Sequence, residues 1–154
     1  MASLDEIDRR LLRELQNEGR ITNVELAQRV GLTAPPCLRR VRTLEESGVI
    51  QGYHAELDPS KLGFSITVFA MVSLKSQAES ALREFEEAMR DLDEVREVHM
   101  LNGEIDFILK IVARDLQAFQ EFLTSKLTPA PNVASVKTSL TIRTSKNQPG
   151  VPLK

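Results

Sequence analysis

The stretch from Thr22 to Gly48 constrains this chain most, because it reads as two short helices separated by a tight turn. Thr22 and Glu25 have the spacing of a capping box, in which a hydroxyl and a carboxylate satisfy backbone donors at the start of a helix. Gly31 is the type of residue that ends a helix in the left-handed conformation. The first helix is therefore expected to run for about two turns before Gly31. Its expected apolar stripe is Val24, Ala27 and Val30.

A second helix is predicted directly after that turn. Thr33 can cap it, and two prolines occupy its opening turn, where a missing N–H costs little because those donors have no intrahelical partner. Apolar residues then recur at helical spacing, so one side packs inward and the opposite side is exposed. The inward stripe is Leu38, Val41 and Leu44, with Cys37 on its flank as a small packing residue. The outward side is centred on Pro36, Arg39 and Thr43, with Arg40 and Arg42 beside it.

Positive charge is concentrated in this part of the chain. Four arginines and no acidic residue lie between positions 28 and 43, whereas residues 1–60 as a whole carry 8 basic and 10 acidic side chains. The arginine fork can take both acceptors of a guanine in the major groove or clamp a phosphate. An arginine-rich helix alone would indicate only a solvated face. The capped helix and short turn before it favour a DNA-binding helix-turn-helix.

The rest of the chain predicts an α+β protein. An amphipathic helix from Asp5 to Gly19 supplies a third helix to the head. Beyond residue 64 the pattern is strand, helix, strand, strand, helix, strand, which is the βαββαβ order of a ferredoxin-like fold. The expected strands are 65–75, 95–101, 105–113 and 133–143, and the expected helices are 78–92 and 115–127.

These elements define the expected domains. Residues 1–50 form a three-helix, winged-helix-like helix-turn-helix domain, and 51–63 form a linker strand and hinge. Residues 64–144 form the ferredoxin-like domain for effector binding and oligomerisation, and 145–154 form a C-terminal tail.

Two features of the ferredoxin-like domain carry further expectations. Asn102 and Gly103 predict a tight hairpin turn between the two middle strands, because both residues tolerate positive φ. The strand after this turn has apolar residues on both faces, so the sheet face without helices needs a partner. Dimerisation through the sheet is the economical explanation.

Composition and motif content exclude several classes of protein. The chain is 42% hydrophobic and 27% charged, which is ordinary for a soluble globular protein. No apolar run approaches the roughly 18 residues of a membrane span, and the N-terminus is too polar for a signal peptide, so a cytoplasmic protein without membrane partners is expected. One cysteine and two histidines build no convincing metal centre, and no glycine-rich phosphate loop is present. We therefore expect no enzyme activity, no metal and no cofactor.

Several motifs in order carry a resemblance to a known family. They are L-D-x-x-D at 4–8, I-T-N-V-E-L-A at 21–27, G-L-T at 31–33, P-C-L-x-R-V-R-x-L-E at 36–45, G-V-I-Q-G-Y at 48–53 and H-x-x-x-G-x-x-D at 99–106. With these motifs the chain resembles the Lrp/AsnC (feast/famine) transcription regulators over nearly its whole length. One departure is T-A-P-P at 33–36, where many relatives have a proline and a hydroxyl residue in the middle. Base preference at this helix tip is therefore not carried over.

The resemblance implies a transcription regulator that binds double-stranded DNA. Paired heads would each insert the second helix into the major groove of one half-site, so operators would be pseudo-palindromic, with half-sites one helical turn or a multiple apart. The residues assigned to DNA are Thr33, Ala34, Pro35 and Pro36 at the helix tip, Arg39, Arg40 and Thr43 on the exposed face, and Arg42 or Arg29 on phosphate. Arg42 could instead pair with Glu45 or Glu46.

The resemblance also implies a small amino-acid effector at an interface between dimers, and homodimers that assemble further, often to octamers. A zwitterion needs a carboxylate for its ammonium group and backbone donors for its carboxylate, and a glycine turn beside Asp106 offers both. The alternative is a plain hairpin with Asp106 as a solvated strand residue. The implied effector residues are Met100, Asn102, Gly103, Glu104 and Asp106 on one side, near His99, and Ser139 and Thr141 on the other.

Two other functions stay open. An architectural protein that bends DNA with little effector dependence would use the same head and would discriminate poorly between sequences. An amino-acid sensor or metabolic enzyme whose head serves protein contacts would bind a ligand but would lack salt-dependent DNA affinity. The continuous helix-turn-helix signature favours the regulator.

Overall fold

The first two helices of the protein begin where side chains supply caps. The structure, a computed structural model, describes residues 4–153. Helix α1 (Glu6–Asn17) starts after Asp5, and helix α2 (Asn23–Val30) starts after Thr22. Both starts are capping boxes, so the capping box predicted from the Thr22 spacing is confirmed.

Gly31 ends α2 as predicted. It has φ of 76°, and the Leu32 N–H donates to the Ala27 carbonyl at 2.8 Å while the Gly31 N–H donates to the Gln28 carbonyl at 3.2 Å. This pair of bonds is a Schellman motif, which satisfies two of the carbonyls that the end of a helix leaves free. The motif turns the chain into helix α3 (Ala34–Glu46) within three residues.

The start of α3 differs from the prediction in one respect. Thr33 is the residue before the helix, but its side chain makes no capping hydrogen bond. An N-cap side chain accepts from the N–H of the second or third helical residue. Those residues are Pro35 and Pro36, which have no N–H, so the prolines that mark the helix start also remove the donors that Thr33 would need.

The core of the head differs from the prediction by one residue in each of two helices. Val24 is 57% exposed and Leu38 is 38% exposed, although both were predicted to face inward. Leu26 and Cys37 are buried in their place, and burial raises the pKa of the Cys37 thiol. Since 3.6 residues per turn allows a stripe through either neighbour, packing against α1 decides which one is buried. The buried cluster is Leu11, Leu26, Ala27, Val30, Cys37, Val41 and Leu44.

The chain divides after Glu56 and again after Ser145. The first and last segments form one unit, the head, and the segment from Leu57 to Ser145 forms the sheet unit. Residues 51–58 were expected to begin the linker strand, but they pair with no strand in the described chain. A strand needs the edge of a neighbouring strand for its hydrogen bonds, and the described part of the head contains no other strand. The 3₁₀ turn Ser60–Leu62 follows.

The end of the described chain packs within the head. The Gln16 carboxamide donates to the Val151 carbonyl at 3.0 Å and accepts from the Val151 N–H at 2.9 Å. Gly150, at φ of 78°, lies so close to Gln16 that a Cβ would collide with the carboxamide. These two hydrogen bonds hold the C-terminal tail against α1. The sequence patterns do not predict this contact.

The sheet unit has the predicted ferredoxin-like order of elements. It contains β1 (Ile66–Leu74), α4 (Glu79–Arg90), β2 (Val95–Met100), β3 (Phe107–Ala113), α5 (Leu116–Phe122) and β4 (Val133–Leu140). A π-helical turn, Leu123–Leu127, continues α5. The antiparallel sheet has the order β2-β3-β1-β4, and both helices cover the same face over a buried core that includes Phe85, Met89, Phe107 and Phe119.

The predicted two-residue turn at Asn102 and Gly103 is wrong. Neither residue has positive φ, and the connection between β2 and β3 is wider, spanning residues 101–106. The Leu101 N–H donates to the Asp106 carbonyl at 2.8 Å and closes this wider loop. The Asp106 N–H donates to the Val72 carbonyl of β1 at 3.0 Å, so Asp106 also contacts the strand on the other side of β3.

No helix within residues 4–153 is long and apolar enough to cross a membrane.

Tyr53 is expected to ionise far above the ordinary value for tyrosine. Burial, followed by a hydrogen bond from its hydroxyl to Glu45 at 2.9 Å, raises the pKa of Tyr53 to about 12. Because folding favours the neutral phenol, the stability that Tyr53 contributes should be fully present below about pH 10 and should be lost as the pH rises towards 12. The chain has one tyrosine and no tryptophan, so tyrosinate absorbance reports Tyr53 alone.

Two matched variants test the cause of this shift. Glu45→Gln should lower the pKa of Tyr53 part of the way towards the ordinary value, while Glu46→Gln should leave it unchanged. An ordinary pKa for Tyr53 in the folded wild-type protein would contradict the structure.

Candidate functional site

The exposed face of α3 presents three of the predicted side chains together. Arg39, Arg42 and Thr43 are all exposed. Neither arginine forms an ion pair with a described residue, so the alternative in which Arg42 pairs with Glu45 or Glu46 is not what the structure shows. The Thr43 hydroxyl donates to the Arg39 carbonyl at 3.0 Å, which leaves its oxygen free to accept. This face can offer two guanidinium forks and one acceptor.

The tip of α3 lies at the same end as the start of α2. Thr33 and Pro35 are exposed, while Ala34 and Pro36 are half-buried. The Asn23 side chain donates to the Ala34 carbonyl at 2.8 Å and so joins the first turns of the two helices. Sequence patterns missed Asn23, because an asparagine at the first helical position has no distinctive signal.

Arg40 does not lie on the exposed face with Arg39. Its Nη1 lies 2.7 Å from an oxygen of Asp5 and 2.8 Å from an oxygen of Asp8, at the start of α1. These two carboxylates raise the pKa of Arg40. The prediction that Arg40 faces DNA is therefore not supported by its contacts.

Arg29 is engaged in the same way at the other end of α1. Its two terminal nitrogens lie 3.0 Å from Glu14 and 2.8 Å from Glu18. Both glutamates raise the pKa of Arg29, with the Glu14 hydrogen bond the larger cause. A phosphate would therefore have to compete with these two ion pairs for the Arg29 guanidinium. The sequence did not reveal the pairs, because both glutamates lie at the end of a different helix.

A groove of about 330 Å³ runs between α1 and the exposed face of α3. It is lined by Leu4, Asp8, Arg39, Arg40, Thr43, Leu44 and Ser47. Arg40 therefore borders the groove while its guanidinium is held by Asp5 and Asp8. The predicted DNA-facing residues thus border a concave surface rather than a flat one.

A second cavity, of about 260 Å³, lies in the sheet unit between the start of α4 and the connection from β2 to β3. It brings together four of the predicted effector residues: Met100, Asn102, Gly103 and Asp106. It also includes three residues that sequence patterns missed as site residues, Gln77, Leu82 and Leu101. Leu82 lies within the predicted helix 78–92, where an apolar residue indicates only packing, and Gln77 has no sequence signal.

The side chain of Asp106, which lines the cavity, is held by a backbone N–H at the end of β1. One carboxylate oxygen accepts the Leu74 N–H at 2.6 Å, which ties the connection to the end of β1. Its other oxygen has no hydrogen-bond donor in the described chain. The neighbouring N–H groups of Asn102, Gly103 and Glu104 likewise have no acceptor among residues 4–153. The cavity therefore has a carboxylate oxygen and backbone donors available to a ligand.

Three predicted effector residues do not line this cavity. Glu104 is exposed beside it. Ser139 lies opposite Phe69 of β1, and the Thr141 N–H donates to Thr67 nearer the start of β1, whereas Asp106 contacts the far end of that strand. The Thr141 hydroxyl is buried without a hydrogen-bond partner in the described chain.

His99 lies on β2 and contacts Glu97 at 3.1 Å, so it has a polar partner on its own strand. Hydrogen bonds from Lys110, and then from His99, lower the pKa of Glu97. Within residues 4–153 no group of three or more histidine, cysteine, aspartate or glutamate side chains could hold a metal ion.

Family models match both units. One described as the Lrp/AsnC ligand binding domain matches residues 67–151, and one described as winged helix-turn-helix DNA-binding matches residues 4–51. Together they span both the surface on α3 and the cavity beside Asp106.

Similar proteins are transcriptional regulators. A leucine-responsive regulatory protein of Rhizobium meliloti is 54% identical over 94% of this chain and 92% of its own length. A Bkd operon transcriptional regulator of Pseudomonas aeruginosa is 42% identical over 99% of this chain and 100% of its own. Among solved structures, a transcriptional regulator of Neisseria meningitidis in complex with L-Met has a TM-score of 0.93 and 34% identity, over 98% of this chain and 97% of that one.

Proposed function

Because the chain belongs to the Lrp/AsnC family of DNA-binding transcriptional regulators, we propose that it binds DNA sequence-specifically under the control of a small amino acid. The proteins of this family are non-enzymatic and have an amino-acid ligand-binding domain. The observation that carries this proposal is the exposed face of α3. Arg39 and Arg42 are the cations of this face that form no ion pair with residues 4–153, and the two helices that pack against α3 are both capped. Unpaired arginines on a rigid helix suit direct contact with bases and phosphates.

Two copies of the chain would bind one operator. The sheet face opposite the helices carries Phe69, which is 37% exposed, beside the half-buried Met71, Ile108 and Val112. No described helix covers this face, and its apolar side chains can be buried by the same face of a second copy. Joining two heads makes the second DNA contact intramolecular, so weak individual contacts give useful affinity on a pseudo-palindromic site.

The cavity beside Asp106 would take the effector. The free carboxylate oxygen of Asp106 suits an ammonium group, and the N–H groups of Asn102 and Gly103 suit a carboxylate. Leu82, Met100 and Leu101 supply an apolar wall, which favours an aliphatic or thioether side chain. The leucine-responsive and L-Met-bound relatives are consistent with that class of ligand.

Ser139 and Thr141 would complete the site only from another copy of the chain. They lie several residues along β1 from the cavity of their own sheet, so one copy does not bring the two sets together. The unpartnered Thr141 hydroxyl supports an additional contact there in the assembly. An effector bound between copies would favour one assembly by its differential affinity for the two states. Assembly of dimers to octamers belongs to this proposal.

Replacing Arg39 tests the DNA surface. Arg39→Ala should weaken binding to DNA selected from a random pool by about tenfold or more, since a bidentate base contact contributes about 1–3 kcal/mol. Dimerisation, measured by sedimentation, should be unchanged. Arg90→Ala removes the same charge from the sheet unit and serves as the matched control.

Unchanged affinity of Arg39→Ala would refute this assignment. If the DNA molecules selected from the random pool had no common sequence, the protein would be an architectural DNA-bending protein and not a sequence-specific regulator.

Replacing Asp106 tests the effector cavity. A ligand at roughly 100 times its dissociation constant should stabilise the protein by about 2.7 kcal/mol, which a thermal-shift screen of the common amino acids would detect. Asp106→Asn keeps an acceptor for the Leu74 N–H but removes the charge for an ammonium group. It should abolish the ligand shift while leaving the unliganded melting temperature near that of the wild type.

Glu104→Gln is the matched control, because Glu104 is exposed beside the cavity without lining it. A full ligand shift in Asp106→Asn would show that the charge of Asp106 does not bind the effector.

A further inference from the structure

We propose that Arg40 and Arg29 are positioning residues that clamp the two ends of α1 to the helix-turn-helix and make no direct contact with DNA. This inference rests on the proposed DNA-binding function. It divides the arginine cluster into two residues that hold the head together, Arg29 and Arg40, and two that meet the nucleic acid, Arg39 and Arg42.

The clamp at the start of α1 uses every oxygen of two carboxylates. One oxygen of Asp5 accepts the Asp8 N–H at 2.8 Å, and one oxygen of Asp8 accepts the Asp5 N–H at 3.2 Å. The remaining oxygen of each accepts from Nη1 of Arg40. The Asp8 side chain is only 16% exposed. The carboxylates that begin α1 therefore also fix the middle of α3.

The charges at this clamp persist over the physiological pH range. The hydrogen bond from the Asp8 N–H, followed by that from Arg40, lowers the pKa of Asp5, so its carboxylate stays ionised at a lower pH than an ordinary aspartate. The contribution of Asp5 to the clamp is lost as the pH falls through that lowered value.

The clamp at the end of α1 corrects an unfavourable arrangement of charge. Glu14 lies in the last turn and Glu18 at the C-cap, where carboxylates oppose the partial negative charge of the helix end, and that turn contains no basic residue. Arg29 of α2 contacts both glutamates. Its backbone carbonyl also accepts from Arg10 of α1 at 3.0 Å. Side chain and backbone of one residue thus join α2 to α1.

The two clamps set the direction in which the exposed face of α3 points. Arg40 follows Arg39 directly, and successive residues on a helix are about 100° apart, so binding Arg40 to α1 turns Arg39 outward. Loss of a clamp should loosen this orientation without removing a contact to DNA. Because the pairs are partly exposed, the expected loss of DNA affinity is modest, about two- to fivefold.

The dependence of DNA affinity on salt distinguishes the two groups of arginines. Each phosphate contact contributes about 0.9 to the slope of log affinity against log salt, and an arginine that positions another residue contributes none. Arg40→Gln and Arg29→Gln should lower affinity but keep the wild-type slope. Arg39→Gln and Arg42→Gln are matched controls that remove the same charge from the exposed face. The slope should decrease by about 1 in at least one of these controls.

Hydrogen exchange gives a readout that does not require DNA. Amides of α1 should exchange faster in Arg40→Gln and Arg29→Gln than in the wild type, and at the wild-type rate in Arg39→Gln. Should Arg40→Gln fail to fold, Asp5→Asn with Asp8→Asn breaks the same clamp while keeping side chains that cap helices well. This double variant should show faster exchange and an undiminished salt slope.

A decrease of about 1 in the slope for Arg40→Gln or Arg29→Gln, with α1 exchange unchanged, would overturn the clamp. Absence of salt-dependent DNA binding by the wild-type protein would instead refute the proposed function, so the two failures are distinguishable.

Discussion

The geometry of the head depends on the hydrogen bonds of the Asp5 and Asp8 carboxylates, which are shared between the start of α1 and Arg40 of α3. Among its described residues the head has a buried cluster of seven side chains, so apolar packing alone leaves little to define the angle between its helices. Each of the two carboxylates caps α1 with one oxygen and contacts Arg40 of α3 with the other. The residues that cap α1 thereby also fix the orientation of α3 relative to α1. This contact sets the direction in which the exposed face of α3 points.

Asp106 has a comparable double role in the sheet unit. Its N–H and one carboxylate oxygen bind β1, its other oxygen has no donor in the described chain, and the residue lines the proposed effector cavity. A ligand that engages the free oxygen would act on the same side chain that holds the β2–β3 connection to the sheet. Binding of the proposed effector would thus be linked to the end of β1. A substitution of Asp106 therefore tests the proposal only if it removes the charge and keeps the hydrogen bond to the Leu74 N–H.

Local patterns predicted the elements well because their causes are local. The capping box at Thr22, the Schellman glycine at position 31 and the proline start of α3 each depend on residues within one or two turns. Errors arose where partners came from elsewhere. Cys37 is buried and Leu38 is exposed because packing against α1 decides between neighbouring stripes. The loop at 101–106 is wider than the predicted turn, and it is closed by the hydrogen bond between Leu101 and Asp106.

The sequence by itself determined the order of the helices and strands, the ferredoxin-like topology, the helix-turn-helix and the family, since all of these follow from short-range periodicity, caps and motif order. Only the tertiary structure decided which arginines stay unpaired and which effector residues share a cavity. Arg29 and Arg40 have the same charge as Arg39 and Arg42 in the sequence, but their carboxylate partners lie 11 to 35 residues away. Whether an ion pair forms depends on distances that arise only when the helices pack.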